Sequence, residues 1–107
     1  MEAIIDEVAE VLGVGKHRSL TKYEFSQLIQ EGFPFKSVEM LTSVVAPHDK
    51  SFTYLLIPRA TLNRRKREKV LTALESALLS RVAEVWAMAR DVFGDMEQAR
   101  RFLHEPH

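Results

Sequence analysis

The chain reads as an all-α protein, a small helical domain in which a helix-turn-helix pair is followed by a long helix and a short C-terminal helix. Three observations predict this. Apolar residues recur at intervals of three and four along most of the 107 residues. Two Thr-x-x-Glu capping boxes, Thr21 with Glu24 and Thr72 with Glu75, announce helix starts. Gly13, Gly32 and Gly94 then fall where those helices should stop.

The totals narrow the functional classes. A chain of 107 residues with 46% hydrophobic content can build one core but not two independent ones. The expected organisation is an N-terminal helical region over 1–70, with its helix-turn-helix at about 48–69, and a C-terminal helical region over 71–107. Fifteen basic residues balance fifteen acidic ones, which excludes a polycation that grips DNA by bulk charge. Any nucleic-acid binding therefore needs a local patch. The absence of cysteine excludes disulfides, thiolate zinc sites and a cysteine nucleophile. His17, His48, His104 and His107 never fall four apart on a helix, so no metal or other cofactor is expected. Without a long apolar run, and with the acidic start MEAIIDEVAE, neither a membrane span nor a signal peptide is expected, and the cytoplasm is the expected compartment.

Taken in order, residues 2–12 place Ile4, Ile5, Val8, Val11 and Leu12 on one helical face with acidic residues outside, and Gly13 closes the helix. A basic loop, GVGKHRS, follows; Lys16, His17 and Arg18 there are phosphate contacts or simply solvated. In the second helix Leu20 and Phe25 take the staple positions around the Thr21 capping box, and Gly32 ends it. Pro34 suits the first turn of a third helix, whose Val38, Leu41 and Val45 face the core before Pro47 stops it. Next, HDKSFTYLL offers Phe52, Leu55 and Leu56 for burial, and a helix from about Pro58 to Lys69 follows. This gives two short helices with a tight turn between them, the second one basic.

That second helix carries the densest charge. Arg59, Arg64, Arg65, Lys66, Arg67 and Lys69 against Glu68 leave a local charge of +5 in a neutral chain. With Ile57 and Leu62 turned inward, Arg59, Thr61, Asn63, Arg64, Arg65, Lys66 and Arg67 are the candidate DNA-binding residues. Arginine can pair bidentately with guanine and asparagine with adenine, while the remaining cations hold phosphates. A basic run on a short helix also serves as a plain solvated face, and both readings stand at this point. Leu56 occupies the turn position where a glycine would more easily turn left-handed, so the expectation is a distorted turn or a first helix that runs on.

Beyond Lys69 the longest regular segment runs from the Thr72 capping box to Gly94, with Leu74, Leu78, Val82, Val85, Ala89 and Val92 as its expected inner stripe. A second stripe, Leu79, Trp86 and Phe93, widens the apolar arc and suggests a partner or self-association surface, although a tryptophan at helical spacing also serves as core. Asp95 with Gln98 caps a last helix that buries Ala99, Phe102 and Leu103 before Pro106. Its Arg100 and Arg101, with Arg90, form a smaller basic cluster. No nucleophile–base pair appears, and Asp6, Glu7 and Glu10 read as a solvated acidic face, so no enzyme is expected.

The run IPRATLNRRKREK, followed by a long helix ending in VFGDMEQARRFLHEPH, resembles antitoxins of the Xre/MbcA/ParS group over about residues 20 to 107. The matches are Ile57-Pro58-Arg59, Thr61-Leu62, Arg64-Arg65, Val92-Phe93-Gly94-Asp95, Ala99, Phe102-Leu103 and Pro106. It is their order and spacing together that carry the likeness. The resemblance implies a type II toxin–antitoxin module. In it, the antitoxin blocks the active site of a RES- or ParT-type toxin that consumes NAD or transfers ADP-ribose, commonly dimerises, and often represses its own promoter at operator DNA. By that resemblance Trp86, Arg90, Phe93, Asp95, Arg101 and Phe102 form the toxin-binding or dimer surface. Leu56, Ser51 and Phe52 depart from the group's usual residues, which counts against operator binding. The group also continues past the position of Pro106, so this chain reads as a truncated or short divergent member. The competing reading is a helical protein-interaction module, or a transcriptional regulator without a toxin partner.

Overall fold

The computed structural model describes residues 2–15 and 19–105, so the basic-loop residues Lys16, His17 and Arg18 and the stop at Pro106 lie outside the described residues. The described chain is all-α: α1 Glu2–Leu12, α2 Lys22–Glu31, α3 Lys36–Val45, α4 Ser51–Leu56, α5 Arg59–Glu68, α6 Ala73–Phe93 and α7 Met96–His104. Both predicted capping boxes form. The Thr21 hydroxyl accepts the Glu24 amide at 3.1 Å while Glu24 accepts the Thr21 amide at 2.9 Å, and Thr72 with Glu75 repeats the pair at 3.1 and 2.9 Å. Two otherwise orphaned amides at each helix start are thereby satisfied.

Helix α6 is the spine, with α1, α2, α3 and α7 packed against it. The core runs from Val8 and Leu12 in α1 through Phe25, Val38, Leu41 and Val45 to Leu79 and Trp86 in α6 and Ala99 in α7. Small residues set how closely the neighbours approach, since Ser76, Ser80, Ala83 and Ala87 are all buried along α6. A buried hydroxyl needs a partner, and Ser37 supplies one by donating to the Leu12 carbonyl at 2.6 Å, which ties α3 to the end of α1.

Two connectors clasp each other beside this core. The Phe33 carbonyl accepts the Leu71 amide at 2.9 Å and the Phe35 amide donates to the Lys69 carbonyl at 3.1 Å, an antiparallel bridge centred on Pro34 and Val70. The Phe33 amide donates in turn to the Ser76 hydroxyl at 2.8 Å, and that hydroxyl donates to the Thr72 carbonyl at 2.8 Å. Phe33 is nearly fully buried, with its ring 6.0 Å from that of Phe25. Gly32 makes the approach possible, because it sits at φ 92° and any Cβ there would collide with the Leu71 carbonyl. Lys69 is left-handed as well, at φ 66°, and ends α5 by donating its amide to the Arg65 carbonyl at 2.7 Å.

Helix α7 is held at its far end. The Arg100 Nε donates to the Val44 carbonyl at 2.8 Å and the His104 Nε2 lies 3.0 Å from the Val45 carbonyl, covering the exposed carbonyls at the end of α3. The His104 ring meets Phe52 edge-on, with centroids 5.2 Å apart, so α3, α4 and α7 converge there.

Within α4 one expected core position is corrected. Phe52 and Leu56 are half-buried, but Leu55 is 80% exposed. A helix of six residues turns one face inward, and the four-residue spacing of Phe52 and Leu56 claims that face.

The clasp predicts a measurable cost. Replacing Ser76 with Ala leaves the buried Phe33 amide without an acceptor, and urea denaturation should show a loss of about 1–3 kcal/mol, whereas Ser43→Ala, at an exposed hydroxyl, should change stability by less than about 0.5 kcal/mol.

Candidate functional site

Helices α4 and α5 are joined by Ile57 and Pro58 alone. Leu56 is the last helical residue of α4, so the first helix does run on. Ile57 is extended, at φ −137° and ψ 120°, and Pro58 follows at φ −54° and ψ 149°. The corner therefore contains no left-handed residue, and a glycine at position 56 is unnecessary. Buried Ile57 pins the corner to the core, and the Pro58 carbonyl accepts the Leu62 amide at 2.8 Å to start α5.

On α5 the half-buried Thr61, Leu62 and Arg65 lie toward the body of the protein, and Arg59, Asn63, Arg64, Lys66 and Arg67 are exposed. Steps of 100° around the helix place Arg59, Asn63 and Arg67 at the centre of the outer face, with Lys66 and Arg64 flanking them. The outer face thus carries four cations and one amide, with no carboxylate among them. The Arg59 guanidinium lies over the Tyr54 ring at 4.6 Å, a cation–π contact that pre-orients it.

Arg65 is a correction to the sequence reading, which put it on the open face. Its side chain is only 14% exposed, and its Nε donates to the Glu75 Oε1 at 2.7 Å while its Nη1 donates to the Glu68 Oε1 at 3.0 Å. The guanidinium is consumed in locking α5 onto the start of α6, where Glu75 Oε1 also accepts the Thr72 amide. Partial burial works to raise the Glu75 pKa, but hydrogen bonds from Arg65 and from the Thr72 backbone outweigh it, and the net direction is below the ordinary carboxylate value. The Glu75 hydrogen bond moves Arg65 the other way, upward.

The C-terminal candidates divide. Phe93 and Phe102 are partly exposed with ring centroids 5.5 Å apart, and together with Gln98, Arg101 and Glu105 they line an open cleft where α6 meets α7. Arg101 is exposed, with its Nε 4.0 Å from Glu105 Oε1. Asp95 is the N-cap of α7, accepting the Glu97 and Gln98 amides at 2.7 and 3.2 Å. Arg90 is half-buried, and its Nε has no hydrogen-bond partner among the described residues. Trp86 is a second correction, since it is 2% exposed, packed in the core with Arg100 5.9 Å from its ring, and cannot present a surface.

The expected inner stripe of α6 holds only in part: Ala89 is buried and Val82 packs against the core, whereas Phe93 of the second stripe is partly exposed. Leu79 and Trp86 point inward, and of the stripe expected inside, Leu74, Leu78, Val85 and Val92 are exposed, by 86, 40, 41 and 76%. Hydrophobicity favours leucine and valine for the core, but close packing of α1 and α2 on α6 favours the small side chains of Ser76, Ser80, Ala83 and Ala87. Met88, 51% exposed, joins the outer stripe, which sequence reasoning missed as a surface. Arg81 within that stripe was the signal, because a strong cation is an improbable core residue.

Among the described residues no group of three histidine or acidic side chains is arranged to hold a metal ion, and no helix is long and apolar enough to cross a membrane. The fold and its surfaces thus define a class: a small all-α protein with a basic outer helix and a second helix that is apolar on two sides. No protein-family model matches the chain. It is similar to the antitoxin Xre of Pseudomonas putida, at 36% identity over 87 residues, covering 78% of this chain. The alignment takes in 53% of that protein, so the chain spans about half the length of the curated relative it matches.

The sign of the Glu75 shift sets an acid dependence. A carboxylate whose folded pKa is depressed stabilises the fold above its unfolded pKa, and that stability is lost as pH falls through the folded value. Denaturation curves between neutral pH and about pH 3 should show the wild type losing its advantage over Glu75→Gln as the solution is acidified, and Arg65→Ala should lower stability at neutral pH.

Proposed function

We propose that the chain acts as an antitoxin, binding and neutralising a cognate toxin through the Phe93–Phe102 end of α6 and α7, and contacting operator DNA through the outer face of α5. The single observation that carries the antitoxin reading is the 36% identity over 87 residues to antitoxin Xre, and the two surfaces supply it with physical means. By the resemblance noted above, the toxin would be of the RES or ParT kind, consuming NAD or transferring ADP-ribose, and neutralisation would occlude its active site.

For the toxin surface, paired aromatic rings beside an exposed arginine have the composition that dominates binding energy at protein interfaces. For the DNA surface, α5 combines an asparagine able to read adenine with arginines and lysine able to reach phosphates, and Arg59, held over Tyr54, needs little ordering. Arg65 belongs to the support of this surface.

Expression of the gene product encoded beside this chain, alone and together with it, tests the first part: arrest of growth by the neighbour alone, relieved by co-expression and accompanied by co-purification, is expected. A harmless neighbour that does not co-purify removes the reading. Phe102→Ala should weaken that complex by about 2 kcal/mol or more and leave DNA binding unchanged.

Mobility shifts on the promoter region test the second part. Asn63→Ala should weaken specific binding by about 1–3 kcal/mol, and Arg67→Ala should act uniformly across sequences while reducing the salt slope by about 1. Equal retention of every DNA sequence, or no retention, rejects base reading by α5.

A further inference from the structure

The cations of α5 are held in different ways. Arg65 is bound through its donors, to Glu75 and Glu68. Arg64, Lys66 and Arg67 are exposed, and their side chains form no hydrogen bond, ion pair or ring contact among the described residues. Arg59 is restrained by a ring alone: its Cζ lies 4.6 Å from the Tyr54 centroid, and no carboxylate pairs with it among the described residues. A cation–π contact orients the guanidinium without engaging its N–H donors with an oxygen acceptor.

The fold gains little from a cation at this place. Arg59 is the first residue of α5, at the positive end of the helix dipole, where an acidic or capping side chain would stabilise. The first turn has no acidic residue, and Pro58 makes no side-chain cap. Buried Ile57 already fixes the corner to the core. An arginine that is restrained, exposed and rich in unengaged donors, at the start of an exposed helix, is therefore better accounted for by a ligand than by stability.

We propose that Arg59 is the guanine-reading residue of α5 and that Tyr54 is the positioning residue that holds it for that contact. This rests on the DNA reading of α5 and names a base which that reading leaves open. Guanine presents O6 and N7 side by side in the major groove, and a guanidinium meets both with two parallel N–H donors. Discrimination needs the fork fixed in place beforehand, because a mobile arginine loses freedom on binding and also reaches any phosphate nearby. Arg64, Lys66 and Arg67 are of that mobile kind. The first residues of a recognition helix are the ones that reach base edges, and Arg59 stands there. Asn63 follows one turn later, about 6 Å along the axis and about 40° around it. With bases stacked about 3.4 Å apart, the guanine lies within about two steps of the adenine read by Asn63.

Selection of bound duplexes from a randomised pool by the full chain reads the preference at each base position. The wild type should prefer guanine at one position by about tenfold or more, near an adenine preference. Arg59→Ala should abolish the guanine preference, and Tyr54→Leu should reduce it to less than about threefold. Tyr54→Phe, which keeps the ring, should retain it. All of these variants should keep the adenine preference, which Asn63→Ala removes. Tyr54→Leu combined with Arg59→Ala should be no worse than Arg59→Ala alone, as required of a residue that acts through another. A merely structural Tyr54 would instead weaken binding to every sequence alike.

The positioning is also read without DNA. The Tyr54 ring should shift the Arg59 δ-methylene protons upfield in nuclear magnetic resonance spectra of the wild type and Tyr54→Phe, but not of Tyr54→Leu, while circular dichroism stays that of the folded chain. Unshifted Arg59 protons overturn the proposal. So does a guanine preference that survives Arg59→Ala or Tyr54→Leu, or that is lost in Tyr54→Phe; if the adenine preference persists, the DNA reading still stands. A wild type without any base preference overturns both.

Discussion

The clasp between the two connectors is the constraint on which the rest of the structure depends. Phe33 gives its carbonyl to Leu71 and its amide to Ser76, and its ring is buried beside that of Phe25 in α2. Chain segments about forty residues apart are thereby held at hydrogen-bonding distance, and the start of α6 is fixed relative to α2 and α3. The arrangement tolerates no side chain at position 32, where the Leu71 carbonyl occupies the site of a Cβ, and it requires Lys69 to turn left-handed so that α5 can end and the bridge begin. A left-handed lysine costs on the order of 1 kcal/mol, which the surrounding hydrogen bonds offset.

From that clasp follows the orientation of the basic helix. With Thr72 and Glu75 capping α6 beside it, the Glu75 carboxylate is available to one arginine of α5 and takes Arg65. The helix is thus rotated so that Leu62 and Arg65 lie toward the body of the protein, and Arg59, Asn63 and Arg67 face solvent. A charge run that looked uniform in one dimension divides in three: one arginine is a bolt, and the others form an exposed cationic face. The same logic recurs at the other end of the molecule, where Arg100 and His104 close the carbonyl end of α3 while Arg101, one position along, stays exposed.

Helix α6 carries both the stability of the fold and its spare surface. Its inner face is built from serine, alanine, one leucine and one tryptophan, a composition that admits close neighbours and fills the remaining gap with a single large ring. Its outer face holds the aliphatic residues a conventional reading would bury. Apolar area left outside in this way is favourable only when something covers it.

The sequence by itself determined what depends on local chemistry. The capping boxes at Thr21 and Thr72, the glycine stops at Gly32 and Gly94, the burial of Val8, Leu12, Val38 and Leu41, and the N-cap at Asp95 are encoded within four residues of where they act, so periodicity and cap chemistry were enough to find them. The tertiary structure decided which apolar residues of α6 face inward, which arginine of α5 is bound, and that Leu56 stays helical with no glycine in the corner. These depend on partners distant in sequence: the small residues of α6 matter only because α1 and α2 lie against them, and Arg65 is drawn inward by Glu75, ten residues away. Local patterns specify that a helix exists and where it ends, whereas its rotation about its own axis is set by the neighbours it packs against, and that rotation determines which side chains are left for a partner.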